Sequence, residues 1–301
     1  MTVTHKNKLR STVRETWVVV AIVIVALTLL LYPAGATLWN NYRQHQVAEA
    51  YSHDVEQSPQ TQLHDIVRRA EEYNARNTAG PIIDPWSARV SKDNAVYQEY
   101  LRELNTLDVM SEVTIPSINV KLPIYHGTSD EVLSKGAGHL FGTALPVGGD
   151  NTHAVITGHT GMQDATMFDN LDKMAVGDAI YLNTYGKKLK YEVNSIEVVL
   201  PEETDSLWPK QGQDLLTLIT CTPYGVNSHR LLVHANRVAM DEETIPDESV
   251  SLFTMPWWMI AFIVIAIIVI ELLILYIYKT HKRVKRWNEQ YSAQTDQYSV
   301  A

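Results

Sequence analysis

Two uncharged, strongly apolar runs limit what this chain can fold into. From Trp17 to Trp39 no residue is charged, and the core of the run reads WVVVAIVIVALTLLLY. A second run, WWMIAFIVIAIIVIELLILYIY from Trp257 to Tyr278, is broken only by Glu271. An α-helix rises about 1.5 Å per residue, so each run can cross a hydrocarbon core about 30 Å thick. Aromatic residues at the ends of both suit the membrane interface. Lys6, Lys8, Arg10 and Arg14 precede the first run, and Lys279, Lys282, Arg283, Lys285 and Arg286 follow the second. Basic flanks stay on the cytoplasmic side, so both termini are expected inside and residues 40–256 outside. A cleavable signal ending at Ala34–Ala36 is the competing reading of the first run. The uncharged stretch continues to Trp39, which favours an uncleaved anchor. Glu271 is read as a tolerated acid near the inner leaflet rather than a functional one.

The segment between the runs is acidic. Residues 41–255 hold 16 Lys and Arg against 30 Asp and Glu, a net of −14. Nucleic acid is therefore not an expected partner, because its binding rests on neutralising phosphates. Residues 40–76 are polar and helical in pattern, interrupted at Ser58-Pro59, and read as a stalk. Gly80, Pro81 and Pro85 then mark a breaker-rich segment, followed by a short helical pattern, DNAVYQEYLRELN. From Val113 the texture is that of strands. Ile118, Val120, Leu122 and Ile124 alternate with polar or turn-forming neighbours, as do Leu189, Tyr191 and Val193. Ile196, Val198 and Leu200 continue in the opposite parity, which predicts a bulge or tight turn near Asn194. With HAVITGH, DAIYLNT, LLTLITC and RLLVHANRV, the count is seven or eight short strands, favouring an antiparallel barrel or sandwich. The expected organisation is a cytoplasmic tail (1–16), a membrane helix (17–39), a helical stalk and covering segment (40–112), a β domain (113–240), a linker (241–256), a second membrane helix (257–278) and a basic cytoplasmic tail (279–301).

Cys221 is the only cysteine, at the end of a strand in TLITCTPYGVNSHR. It shares a strand face with Thr217 and Ile219. If the strand beginning at Arg230 pairs antiparallel with it, Cys221 and Arg230 become neighbours with Cβ atoms about 5 Å apart. An ordinary thiol with a pKa of about 8.5 is only about 3% thiolate at neutral pH. A guanidinium favours the thiolate and can equally hold the oxyanion of a tetrahedral intermediate. A histidine is the natural group to protonate a leaving amine. His159, delivered by a strand run to a glycine-flanked loop in AVITGHTG, is best placed, with His126, His139, His153, His229 and His234 as rivals. The alternative for Cys221 is a small buried hydrophobe, the commonest fate of a free cysteine. No HExxH motif or cysteine pair indicates a metal, and GAGHLFG misses the dinucleotide fingerprint by one residue. No cofactor is expected.

TLITC resembles the TLxTC signature of the sortases, cysteine transpeptidases of Gram-positive cell surfaces. ITGHTG is similar to their histidine motif, and Arg230 falls nine residues after Cys221, where their arginine lies. The resemblance runs over about Val113 to Val238 and includes LPVGGDNTHAVITGH and MFDNLDKMAVGD. It implies a mainly β protein, an eight-stranded sortase barrel with N-terminal helices, flanked here by two transmembrane helices. It further implies Cys221 as nucleophile, His159 as acid and base, Arg230 as oxyanion holder, and an LPxTG-type sorting signal cut between Thr and Gly. Asp84-Pro85-Trp86 and the C-terminal span resemble class C, the pilus-assembling members, in which this tripeptide is a lid over the site. The acceptor implied there is a pilin lysine amine. The alternatives are a housekeeping sortase using a peptidoglycan precursor as acceptor, and a non-catalytic, membrane-anchored binding or scaffold protein. Surface proteins bearing sorting signals and membrane lipid complete the expected partners.

Overall fold

The computed structural model describes residues 2–77, 82, 84–86, 94–240 and 255–299. Apart from Met255 and Pro256, the expected linker lies outside the described residues, as do Gly80 and Pro81. The chain divides into two compact units, residues 1–36 with 255–301, and residues 37–254.

The first unit holds the second apolar run and the first as far as Ala36, both helical. Helix α1 spans Thr2–Gln57, with Pro33 inside it, and the C-terminal helix spans Trp257–Ser299. Each is long and apolar enough to cross a bilayer. Ile22, Leu29, Ile267 and Leu272 are exposed, a pattern that suits lipid as surroundings. Glu271 is exposed on the C-terminal helix.

The second unit is a closed barrel of eight strands: β1 (Ser111–Ile115), β2 (Val120–His126), β3 (Ala137–His139), β4 (Thr152–Thr157), β5 (Ala179–Thr184), β6 (Lys187–Val199), β7 (Asp214–Thr222) and β8 (His229–Val238). Their order around the barrel is β1-β2-β3-β4-β7-β8-β6-β5. Alternation sorts the side chains between two sides. Leu216 and Leu218 of β7 and Leu231, Val233 and Ala235 of β8 fill the main core. Thr217, Ile219 and Cys221 face outward from β7, as the parity of the run predicts. The predicted slip in β6 is a bulge, with the register against β8 shifting between Val193 and Ser195. The barrel is not wholly antiparallel, however. β2 with β3 and β4 with β7 are parallel pairs. The β4–β7 pair is possible because β5 and β6 lie between them in the chain and carry the crossover that parallel strands require.

The segment expected as a stalk packs on the barrel. Its break is where Ser58-Pro59 predicts, with α1 ending at Gln57 and α2 running Gln60–Arg76. Leu63, Ile66, Val67, Ala70 and Tyr73 form one buried stripe of α2, at the spacing of a helix face. These side chains, with Tyr51 and Val55 of α1, belong to the barrel's own core cluster. A solvated stalk would have left this apolar stripe in water. Asn74 locks the arrangement: its amide donates to Leu145 O at 3.0 Å and its Oδ1 accepts from Leu145 N at 2.8 Å. The short helix α3 (Ala95–Tyr100) is capped by Asn94, which accepts from Val96 N and Tyr97 N, satisfying two of the donors a helix start leaves open.

Candidate active site

Strand pairing brings three distant parts of the chain together on the outer side of the barrel. β7 and β8 pair antiparallel with Cys221 directly opposite Arg230, the pairing anticipated from the sequence. β4 and β7 pair parallel up to Thr157 opposite Ile219. The association continues one step further, with Gly158 N donating to Ile219 O at 3.1 Å and Thr220 Oγ1 donating to Gly158 O at 2.8 Å. Two residues beyond that last pair, along both strands, stand His159 and Cys221.

Gly158 is needed at this point. A Cβ there would lie 2.7 Å from a ring carbon of Phe168, so only glycine lets the loop pass beneath that ring. Phe168 N donates to His159 O at 3.0 Å, which closes the neck of the 159–168 loop. Asp169 Oδ1 accepts from Gly161 N at 2.7 Å and Thr160 Oγ1 at 3.2 Å.

The tripeptide Asp84-Pro85-Trp86 covers this row. Arg230 donates to Asp84 through Nε at 2.6 Å and Nη2 at 3.0 Å, a two-pronged, charge-assisted pair. The Arg230 Cζ lies 4.7 Å from the centre of the Trp86 ring, within cation–π range. The Trp86 indole N–H donates to His159 Nδ1 at 3.3 Å. Thr128 Oγ1 donates to Pro85 O at 3.1 Å. Beside the tripeptide, Ile82 packs with Leu140, Val155, Leu207, Ile219 and Leu232, and Trp86 and Val199 border the same cluster. Cys221 is left 8% exposed.

This cover sets the charge state of the row. Burial pushes the Cys221 thiol above its ordinary range; Arg230 pulls it back and Asp84 pushes it up again. Burial holds His159 below the ordinary imidazole range, with Asp130 opposing in part. Because Nδ1 accepts from Trp86, the neutral ring carries its proton on Nε2. For Arg230, burial acts downward but Asp84 and Cys221 outweigh it, so the guanidinium is held more firmly charged. The covered row is therefore a thiol, a neutral imidazole and a guanidinium neutralised by a carboxylate.

The rival histidines have other surroundings. His126 Nε2 lies 2.7 Å from Glu103 O, and buried His139 Nε2 lies 2.8 Å from Ala144 O. His153, Thr217, His234 and Glu197 form a chain of hydrogen bonds further down the same outer side, at 2.6, 2.7 and 3.0 Å. His229 bonds Ser228 at the start of β8. Among the described residues no group of acidic, histidine or cysteine side chains has the arrangement of a metal site. The sequence assigns no role to Asp169, Phe168 or Thr128: the first two lie in MFDNLDKMAVGD, which resembles the family as a stretch without a chemical signature of its own, and Thr128 lies in no motif.

Comparison with known proteins gives one consistent result. The sortase domain model matches residues 113–238. The crystal structure of sortase C-1 from Actinomyces oris is 56% identical, with a TM-score of 0.57, covering 59% of this chain and 99% of that one. Sortase C from Streptococcus pneumoniae is 38% identical with a TM-score of 0.62, covering 66% of this chain and 100% of that one. Among curated sequences, a sortase A from Streptococcus agalactiae is 30% identical over 48% of this chain and 60% of its own length. The chain thus spans about three fifths of the curated relatives it matches.

Proposed function

The chain belongs to the sortase family, with class C members among its structural relatives, and on that premise we propose that it is a membrane-anchored transpeptidase that joins pilin subunits. Its substrate is an LPxTG-type sorting signal on a surface protein, and its acceptor is a lysine amine of the next pilin. Both termini lie in the cytoplasm and the barrel faces the cell wall of a Gram-positive cell. The observation that carries the reading is the pairing of Cys221 with Arg230 beneath a cover that bonds His159 and Arg230 at once.

In this reading Asp84, Pro85 and Trp86 form a lid. Its opening removes Asp84, which raises the Cys221 pKa, and leaves Arg230, which lowers it. The Cys221 thiol passes its proton to His159, and the thiolate so formed attacks the Thr carbonyl carbon. Arg230, its fork vacated by Asp84, donates to the resulting oxyanion, a contribution typically worth about 100- to 1000-fold in rate. The Thr–Gly C–N bond breaks as His159 gives a proton to the departing amine, leaving a thioester on Cys221. The lysine amine attacks the thioester and loses its proton to His159, and the thiolate departs as the isopeptide bond forms. The apolar shelf now holding Ile82 suits the leucine of a sorting signal once the lid has moved.

The test is incubation of the full chain, in detergent micelles, with pilins carrying sorting signals. Covalent ladders that vanish in Cys221→Ala are expected. Transfer only to peptidoglycan precursors would identify a housekeeping enzyme, and unchanged activity in Cys221→Ala would identify a non-catalytic role for the cysteine.

A further inference from the structure

The loop that carries His159 is held from a second direction by residues at the end of the first apolar run and just after it. Thr37 Oγ1 donates to Gln163 O at 3.3 Å. Asn40 Nδ2 donates to Asp164 O at 2.9 Å and lies 3.3 Å from its carboxylate. Asn41 makes a reciprocal pair with Thr166: Nδ2 donates to Thr166 Oγ1 at 2.7 Å and Oδ1 accepts from Thr166 N at 3.0 Å. Thr37, Asn40 and Asn41 stand at i, i+3 and i+4, one face of α1. That face continues as a buried stripe through Gln44, Ala48, Tyr51 and Val55. The stripe is apolar where α1 lies against the barrel and changes to amides and a hydroxyl where it meets the loop. Apolar contact would only bury the loop, whereas directed bonds to its backbone fix where it sits.

The lower part of α1 is itself pinned. Tyr51 OH accepts from Tyr185 N at 2.7 Å, and Ser52 Oγ accepts from Asn183 Nδ2 at 3.2 Å. Asn41 precedes Tyr51 by ten residues, about 15 Å of helix. A rigid helix fastened to β5 and the turn after it thus reaches the middle of the 159–168 loop, whose neck Phe168 and Asp169 already close.

We infer that the turn Thr37–Asn41 is a positioning element of the active site, fixing the 159–168 loop and through it the His159 ring. The chain segment leaving the membrane helix is in this way part of the catalytic scaffold as well as a tether. The inference rests on the reading of His159 as the acid and base. Misplacement of a catalytic group by about 1 Å can cost on the order of 100-fold in rate, so loss of the contacts appears in turnover before it appears in substrate binding.

The experiment uses the full chain in detergent micelles with a sorting-signal peptide and an amine acceptor. The double variant Asn40→Ala/Asn41→Ala is expected to lower kcat by about tenfold or more, with KM for the peptide within about twofold. Asn41→Asp retains an oxygen for Thr166 N and a second that accepts from the Thr166 hydroxyl, so it is expected to keep most of the activity. Gln46→Ala lies on the same helix at an exposed position, where the side chain bonds Glu49, and is expected to match the parent. A double variant with unchanged kcat overturns the inference, as does a loss that Asn41→Asp shares in full or that falls on KM. His159→Ala is measured alongside. If it remains active, the reading of His159 fails; if it is inactive while the double variant turns over normally, only the positioning role fails.

Discussion

At Cys221, burial and charge pull in opposite directions. Burial favours the thiol, Arg230 favours the thiolate, and Asp84 opposes Arg230. This balance makes a direct prediction about reactivity. Trp86→Gly removes the ring over Arg230 and the donor to His159, so alkylation of Cys221 by a small reagent should accelerate. The pH at which the alkylation rate rises should also fall towards the ordinary thiol range. An unchanged rate and midpoint would remove Trp86 from the control of the thiol. Arg230→Lys should cost about 100-fold or more in thioester formation, read by mass spectrometry of the acyl-enzyme. An ammonium keeps the charge but cannot present the two parallel donors that now meet Asp84.

At the scale of elements, parallel pairing of β4 with β7 is what brings His159 and Cys221 to the same end of neighbouring strands, and docking of α2 braces the barrel. Asn74→Ala should lower thermal stability by about 1–3 kcal/mol, measured by denaturant melting, because it strips Leu145 N and O of their shared partner. The hairpin of β7 and β8, the face that Cys221 shares with Thr217 and Ile219, and the slip at Asn194 were all legible in the sequence. Each is written in local alternation and in the short spacing from Cys221 to Arg230. The parallel pairs were not legible, because a three-residue strand such as β3 carries no periodicity and its partner is chosen by long-range closure. The α2 stripe is present in the sequence but masked by abundant polar residues, which give the segment the pattern of a solvated stalk. The contacts of Asp169 and Asn41 join positions separated by loops and by 125 residues, where no local pattern points from one to the other.

Over the whole molecule, two buried histidines make the barrel sensitive to acid. His139 and His153 are both held down to about 4 from 6.5, in each case chiefly by burial. A base with a depressed folded-state value binds protons more readily when unfolded, so stability is fully present above pH 6.5. It falls as the pH drops from there through 4. Each site accounts for on the order of 3 kcal/mol across that window. Acid titration of the melting temperature should show the loss between these limits, and His139→Gln should flatten the part due to that site.

The two-pronged closure of Asp84 on Arg230 also bears on where such an enzyme can work. On the lid reading proposed above, a peptide engages the sulfur only in the fraction of molecules that are open, so its apparent affinity falls by that fraction. If one molecule in a hundred were open, a dissolved peptide would bind about 100-fold more weakly than the site itself allows. Partners confined to one surface meet at effective concentrations that reach about the millimolar range, which overcomes such a handicap. A closed resting form of this kind would leave free-floating peptides largely untouched and direct the chemistry towards neighbours held in the same membrane.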